Sequence, residues 1–380
     1  MLSVLIRIYK SISFLTFFIA VSFGLIGVLI ILFPVRLNER FPVLAITDKE
    51  HIKFILTFTI GGIFTLTVFS YTMVMNVLNR SISNYSPRLI PLILYERPHQ
   101  IVLGTTSGTI IYSLLMSAYL SGNSEADFPD IAAPLTIFFV IICVLLFIYF
   151  IHHVSQSIHV NYVIHESFVN TRRSIFNVLN MKENLFLETK KNREWGTAIS
   201  FDHCGYLNKI RLQKLLAISK THGIDFNLPV KVGTFVLENQ NVLESSKPLN
   251  EKLVKRIKRC ISIDRSEPIN VIEVGFKHLT EVAIKASSPA INDPGTSLIA
   301  IDYLAQLFIH RKNIPEFNGL KLDDGGIVYF ELIPTETLFK HVLEEMERYM
   351  NEDPILKKKL QWFKTKVGLP HSLESKVSLA

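Results

Sequence analysis

One uninterrupted apolar run reads Ile131-Ala-Ala-Pro-Leu-Thr-Ile-Phe-Phe-Val-Ile-Ile-Cys-Val-Leu-Leu-Phe-Ile-Tyr-Phe-Ile151 and holds no Asp, Glu, Lys, Arg or His. At about 1.5 Å per residue, a helix of about 20 such residues covers the ~30 Å hydrocarbon core of a bilayer. In that core every backbone N–H and C=O group must be paired within the chain, which favours a helix. The run therefore predicts a transmembrane helix.

Three further runs have the same character, from Ile12 to Phe33, from Phe54 to Met75 and from Ile101 to Leu120. A soluble core can bury one helix of this kind, but four in succession predict four transmembrane helices. The first run exceeds the roughly 7–15 apolar residues of a signal peptide, so we expect it to be retained as an anchor.

The distribution of basic residues predicts the orientation, because cytoplasmic loops retain Lys and Arg. The third connection, residues 121–130, contains three acidic residues and no Lys or Arg, so we expect it outside. Basic residues instead occupy the amino end, the second connection and the segment after the fourth run: Arg7, Lys10, Arg80, Arg88, Arg97, Arg172 and Arg173. The first connection is an exception, since it carries Arg36, Arg40, Lys49 and Lys53. We predict that both termini are cytosolic.

Composition and charge exclude several classes of function. The net charge of +7 suits a protein that faces anionic lipid, whereas nucleic-acid binding requires a denser basic stripe and a recognisable motif. Cys143 lies in a predicted span, and Cys204 and Cys260 are far apart without metal-ligand spacing. We therefore expect reduced and mostly buried thiols, no metal, no cofactor and no nucleic-acid partner.

The predicted spans hold small and hydroxyl-bearing residues in place of charges. The absence of ionisable residues argues against a proton-coupled transporter or a voltage sensor. Gly61 and Gly62 lie in the second run, and a small-xxx-small segment in the third comprises Gly104, Thr105, Thr106, Ser107 and Gly108, followed by Thr109. This segment predicts close helix packing, and the alternative is a polar path through an oligomer.

Two segments are predicted to lie at the membrane interface. Ser86 is a candidate helix N-cap with Pro87 at the first helical position and Arg88 after it, which predicts a short interfacial helix. His152 and His153 follow the fourth run, and His159 shares a helix face with His152. Two histidines are too few for a structural zinc site, so we interpret these side chains as interfacial.

Several short motifs resemble those of the domain of unknown function 2254 family of predicted bacterial membrane proteins. They are Tyr85-Ser-Pro-Arg-Leu89, Phe150-Ile-His-His-Val154 with Ser157-Ile158, and Ala286-Ser-Ser-Pro-Ala-Ile-Asn-Asp-Pro-Gly-Thr296. The resemblance also includes the Gly205-Tyr206 segment, the Val230 to Leu243 segment and Asp323-Asp324-Gly325. At His159 the chain departs from a commoner glutamine. The resemblance implies the four-span topology and a bacterial inner-membrane location, and it carries no established activity.

The rest of the chain has mixed polarity and predicts a cytosolic α+β domain with a small β module. We expect a transmembrane domain over residues 1–155, a helical linker over 156–200 and the α+β domain over 201–380. Helices are predicted over Ile164 to Leu185 and Leu207 to Ser219, and strands over Phe226 to Val232, at Phe235-Val-Leu237 and at Val242-Leu243. The strands faintly resemble a lipoyl-type half barrel, but the Met-Lys-Met turn that would carry a cofactor is missing.

A loop between two predicted helices is the best candidate for a specific site. A helix over Val271 to Lys285 should stop before a new one that begins at Pro294, with Asp293 as its N-cap. The candidate regulatory residues are Ser288, Pro289, Asn292, Asp293, Pro294 and Thr296. Capping alone explains the pattern; alternatively the helix start receives an anion, assisted by Arg265 or Lys285. Because a carboxylate at the cap disfavours a phosphate, we interpret the segment as a structural or switching loop.

Two basic helices are also predicted, at Lys252 to Arg259 and at Lys357 to Lys364. Both patterns are typical of a solvated helix face. The second includes Trp362 and Phe363, so anionic lipid is an alternative partner for it.

Three classes of function remain, and an enzyme is the third of them. The first is an oligomeric channel or passive transport component that its cytosolic domain regulates, and the alternative is a membrane-anchored signalling or scaffold protein without transport activity. The expected partners are the lipid bilayer, further copies of the chain and an unidentified cytosolic ligand. No nucleophile elbow, metal triplet or glycine-rich phosphate loop occurs in the sequence, so no catalytic residues are predicted.

Overall fold

The computed structural model describes residues 12–33, 48–84, 97–122, 129, 131–157, 160–188, 195–268, 270–322 and 325–368. The chain divides into two compact units, and the boundary along the chain falls between Tyr162 and Val163.

The first unit contains four long helices, α1 Ile12–Leu32, α2 Lys49–Asn84, α3 Arg97–Gly122 and α4 Ala132–Ser157. Each includes a segment long and apolar enough to cross a membrane. The four predicted transmembrane helices are confirmed, and their apolar side chains are exposed on the outside of the bundle as lipid requires.

The interior of this bundle is formed by large side chains from α2, α3 and α4. Leu56, Tyr112 and Met116 are fully buried, and the Tyr112 hydroxyl donates to the Ala132 carbonyl at 3.2 Å. Tyr112 also packs edge-on against Phe139, with ring centroids 5.2 Å apart. Buried hydroxyls in a bilayer need such partners, because water is absent there.

The second unit begins at Val163, within the long helix α5 Val160–Leu179, and continues as a mixed α+β fold. The strands are β1 Leu185–Phe186, β2 Thr197–Ser200, β3 Gly205–Ile210, β4 Phe226–Asn227, β5 Phe235–Val236, β6 Asn241–Ser245, β7 Ile261–Asp264, β8 Gly319–Lys321 and β9 Ile327–Tyr329. The helices are α6 Leu212–His222, α7 Glu251–Lys258, α8 Ile272–Ser287, α9 Pro294–Arg311, α10 Thr335–Met350 and α11 Pro354–Val367. The predicted α+β domain with a β module is confirmed.

The described strands form two sheets. Six strands pair in the order β1-β8-β9-β4-β6-β2, in which only β4 and β9 are parallel, and three pair in the order β5-β3-β7. A cross-strand row of Leu320, Val328, Phe226 and Ser245 is buried on one face of the larger sheet. Burial of this row fixes the register, because a slip by one residue would expose it.

Four helices, α8 to α11, pack around a group of phenylalanine rings. The Phe308 ring lies 4.4 Å from Phe276, 5.2 Å from Phe339 and 5.9 Å from Phe363, measured between centroids. One ring from each helix therefore meets at a single point, which holds α8 and α9 against the carboxyl-terminal helices.

Three local predictions are corrected by the structure. The helix expected over Ile164 to Leu185 ends at Leu179, because the chain turns there and enters strand β1. The helix expected from Leu207 begins only at Leu212, since residues 205–210 form β3 between two partner strands. The strand expected over Phe226 to Val232 is limited to Phe226–Asn227. Short apolar runs do not distinguish helix from strand until their distant partners are known.

Candidate functional site

The small residues of the third span form a close contact with the first helix. An added Cβ at Gly104 would lie 2.9 Å from Ile19 Cβ, and one at Gly108 would lie 2.8 Å from Phe23 Cγ. Real Cβ atoms do not approach other atoms so closely. The two glycines therefore allow α1 and α3 to touch, as small-xxx-small segments do in membranes.

The threonine hydroxyls between these glycines and directly after them face the interior of the same bundle. Thr105 is 6% exposed, and Thr106 and Thr109 are fully buried. Thr106 Oγ1 donates to the Leu103 carbonyl at 3.3 Å, and Thr109 Oγ1 donates to the Thr105 carbonyl at 2.8 Å. Thr109 Oγ1 also lies 3.3 Å from Cys143 Sγ on α4. Ser107 is half-buried, and Gly61 and Gly62 on α2 have open space around them.

The histidines at the ends of α3 and α4 form an aromatic group. The His99 ring lies 5.6 Å from the ring of His153 and 5.6 Å from that of Phe150, while His152 is exposed. Among the described residues, no three His, Cys, Asp or Glu side chains come close enough to hold a metal ion. Ser86, Pro87, Arg88 and His159, with the predicted interfacial helix, lie outside the described residues.

The predicted loop forms a tight corner between α8 and α9. Helix α8 ends at Ser287, and the Ser288 hydroxyl donates to the Lys285 carbonyl at 2.6 Å. Asn292 adopts a φ of 49°, a left-handed conformation that asparagine tolerates better than most residues. The Asp293 N–H then donates to the Ala286 carbonyl at 2.9 Å, which returns the chain to the end of α8.

Asp293 is the N-cap of α9, as its position before Pro294 predicted. Its carboxylate accepts from the Thr296 N–H at 3.1 Å and from the Thr296 hydroxyl at 2.6 Å. The buried Ser297 hydroxyl donates to the Ala283 carbonyl at 2.7 Å and so joins α9 to α8. The Asp293 carboxylate thus accepts from one of the early N–H groups of α9, and the corner joins the two helices.

A contact that the sequence analysis missed joins the first helix of this unit, α5, to α8. An added Cβ at Gly275 would overlap the side chain of Thr171, whose own hydroxyl donates to the Ser167 carbonyl at 2.7 Å. Ser174 Oγ donates to the Asn270 carbonyl at 3.3 Å in the segment before α8. A helix-interior glycine costs up to about 1 kcal/mol relative to alanine, which is the one signal in the sequence for a packing role at Gly275.

Helix α5 also contacts α9, the helix on the other side of the corner. His165 Nδ1 lies 3.2 Å from the Tyr303 hydroxyl, and the Phe168 and Tyr303 rings are 4.7 Å apart. Nearer the end of α5, the Phe176 and His310 rings are 5.4 Å apart. Burial, and secondarily the positive charge of Arg172, lowers the pKa of His310 below its ordinary value of 6.5.

A buried arginine holds the far end of α9. Arg311 is 3% exposed, and its Nη2 donates to the Ile333 carbonyl at 3.0 Å, while the Ile333 N–H donates to Glu273 of α8 at 3.1 Å. Burial lowers the pKa of Arg311, and the charge of Glu273 opposes this effect. Helices α8 and α9 are thus connected at both ends of α9, and α5 packs against α9 at Tyr303 and His310.

Comparison with known proteins gives a family and no solved structure. The family described as predicted membrane protein (DUF2254) matches residues 9–363. Uncharacterized proteins of Mycobacterium bovis and of two Mycobacterium tuberculosis strains are each 23% identical over 322 residues. These matches cover 78% of the chain but only 58% of the relatives, so the chain spans little more than half their length. No solved structure matches the chain.

Proposed function

The chain belongs to the DUF2254 family of predicted membrane proteins, and we propose that it couples a cytosolic ligand or partner to the state of its membrane helices. In this proposal the second unit is cytosolic, the membrane is the bacterial inner membrane, and both termini are cytosolic. Helix α5 transmits the change, because it follows α4 directly along the chain. Only residues 158 and 159 separate Ser157 from Val160.

The contact between Thr171 and Gly275 supports this proposal most directly. Because a Cβ at Gly275 would not fit, α8 lies directly against α5. A shift of α8 along α5 would therefore displace α5. The corner at Asp293 and the Ser297 bond join α8 to α9, so a change at either helix reaches α5. Coupling between sites requires such a connected element with two arrangements.

Hydrogen–deuterium exchange of the full-length protein in nanodiscs tests the coupling. We expect Gly275→Val to raise deuterium uptake in α5 and also in the last turns of α4, because the two helices are consecutive. Gly295→Ala is the matched control, since its Cβ would make only an ordinary 3.4 Å contact with Asp293. Unchanged uptake in β3 shows that the unit remains folded. If uptake rises in α5 alone, α5 does not transmit to the membrane and the proposal fails.

One observation favours the channel alternative. Ser113 Oγ in α3 is fully buried and has no hydrogen-bond partner among the described residues. An unpaired hydroxyl in a bilayer is costly, and a bound ion or water would satisfy it. A conducting path would then run inside the bundle or through an assembly of several copies.

Ion flux into proteoliposomes separates the two functions. The coupling proposal expects potassium and chloride flux no greater than in protein-free liposomes. Flux that disappears in Ser113→Ala but persists in Ser121→Ala, an exposed hydroxyl of the same helix, would instead establish a channel.

A further inference from the structure

The outer face of α5 carries two neighbouring arginines beside a half-exposed aromatic ring. Arg172 and Arg173 are exposed, and Phe176 is 38% exposed. Together with Val169 they line a shallow groove of about 280 Å³. The opposite face of α5 is buried, so this groove faces away from the core of the unit.

The guanidinium groups of Arg172 and Arg173 each contact a neighbouring side chain, but no carboxylate of the described residues pairs with them. Arg172 Cζ lies 5.4 Å from the centroid of the Phe176 ring, and Arg173 Nη1 donates to Asn170 Oδ1 over a long 3.5 Å. Glu166, an acidic residue of the same helix, forms an ion pair with neither arginine. Within the described part of the chain, no carboxylate neutralises this pair, which leaves two positive charges available for an anion.

The chemistry of the groove fits a phosphate group attached to carbon. A guanidinium presents several N–H donors in a planar fork that matches phosphate oxygens, and a second one alongside adds charge. Val169 and the Phe176 ring supply an apolar wall. The volume falls just below the roughly 300–1,000 Å³ of sites for drug-sized ligands, so the groove suits a headgroup and its glycerol carbons.

The membrane itself supplies such a group. The chain spans a bilayer whose headgroups carry phosphate, and Arg172 lies twelve positions beyond Val160 in α5, about 18 Å of helix. A tether this short keeps the groove at a high effective concentration of headgroups. We propose that the groove of Val169, Arg172, Arg173 and Phe176 binds the phosphate headgroup of an anionic phospholipid. This site is independent of the coupling function proposed above.

Binding of a short-chain lipid to the full-length protein in neutral detergent tests the proposal. The probe is dihexanoyl phosphatidylglycerol below its micelle concentration, followed by thermophoresis. We expect Arg172→Gln/Arg173→Gln to weaken binding about tenfold or more, since charge-assisted hydrogen bonds are the strong ones. The matched control is Lys357→Gln/Lys358→Gln, which removes two exposed positive charges from α11. It should change the affinity by less than about twofold, since isolated surface charges contribute little.

Two further ligands identify the source of the phosphate. Dihexanoyl phosphatidylcholine should bind more weakly than phosphatidylglycerol, and inorganic phosphate should not displace the lipid at millimolar concentration. An equal loss of lipid affinity in the two double variants would mean that the lipid is attracted by charge without a specific site, and it would overturn the proposal. Displacement by inorganic phosphate would do the same, because the groove would then be a free-phosphate site. Phe176→Ala should weaken lipid binding and leave any phosphate binding unchanged.

Discussion

Glycine-to-alanine substitutions in two membrane helices should have opposite effects on stability. Gly104 and Gly108 lie against α1, whereas Gly61 and Gly62 have nothing within 4 Å of an added Cβ. All four are interior positions of long helices. We expect Gly104→Ala and Gly108→Ala to destabilise the bundle, and Gly61→Ala and Gly62→Ala to leave it unchanged or stabilise it.

The magnitude follows from two opposing contributions. Alanine is favoured over glycine inside a helix by up to about 1 kcal/mol, and this gain is common to all four variants. At Gly108 the new methyl lies within 3.1 Å of three Phe23 atoms, and overpacking of this kind costs about 1–3 kcal/mol. The helix contribution cancels between variants, so Gly108→Ala should be about 1–3 kcal/mol less stable than Gly61→Ala.

A buried thiol provides the assay. Cys143 is fully buried beside Thr109, so it reacts with a thiol-specific fluorophore only when the bundle opens. Cys204 is exposed and Cys260 is buried in the other unit, so both are first replaced by serine and alanine, respectively. The melting temperature changes by roughly 2–4 °C for each kcal/mol of stability. The temperature at which half of Cys143 is labelled should therefore be several degrees lower in Gly108→Ala than in Gly61→Ala.

Equal midpoints for the two variants would refute the reasoning, because the contact between α1 and α3 would then be looser than the structure shows. Adding Phe23→Ala to Gly108→Ala provides an internal check. The combined loss should be smaller than the sum of the single losses by at least about 0.5 kcal/mol, since removal of the ring relieves the overlap.

Three further predictions concern the second unit. Gly275→Ala should weaken the packing of α5 on α8 by about 3 kcal/mol, which corresponds to a roughly 100-fold loss of hydrogen-exchange protection in α5. Adding Thr171→Ala should restore part of this protection, because it removes the overlapping side chain. Full protection in Gly275→Ala alone would contradict the overlap. Asp293→Ala should cost about 1–2 kcal/mol and raise deuterium uptake in the first turn of α9, and unchanged uptake would show that the cap is dispensable. His310 should titrate below pH 6.5 by NMR, and Arg172→Gln should raise its pKa only in part, because burial is the larger cause. Since the folded pKa lies below the unfolded one, this histidine's contribution to stability is present above pH 6.5 and is lost as the pH falls from there through the folded pKa. A midpoint at 6.5 in the wild type would contradict this.

Much of the architecture could be read from local patterns. The four apolar runs predicted their helices because lipid allows few alternatives to a helix with internally paired backbone groups. Asp293 before Pro294 predicted the start of α9, since a cap needs only neighbouring residues. The motifs that resemble the DUF2254 family agree with the match over residues 9–363. The roles predicted for the hydroxyl segment and for the corner loop stay predictions.

Other features depend on residues far apart in the chain. Leu207 was predicted to be helical, but it lies in β3 because β5 and β7, which follow it, pair on both sides. Cys143 and Cys260 are buried, as expected for most of the thiols, whereas Cys204 is exposed in the segment before β3. Propensity gives only a weak preference at such positions, and tertiary pairing overrides it.

Local patterns were enough to predict four membrane-spanning helices, because an uncharged apolar run of sufficient length is stable in lipid only as a helix. The contacts of the glycines and arginines, in contrast, are known only from the folded chain. Glycine allows a close helix contact at Gly108 and Gly275, whereas Gly61 faces open space. The neighbouring atoms that make this difference belong to residues up to about 100 positions away in the chain. The arginines after the fourth span predicted only an orientation, and their place beside Phe176 on the exposed side of α5 follows from which side of that helix is buried. Hydrophobicity acts on each segment separately, whereas packing depends on distances between segments that local sequence does not encode.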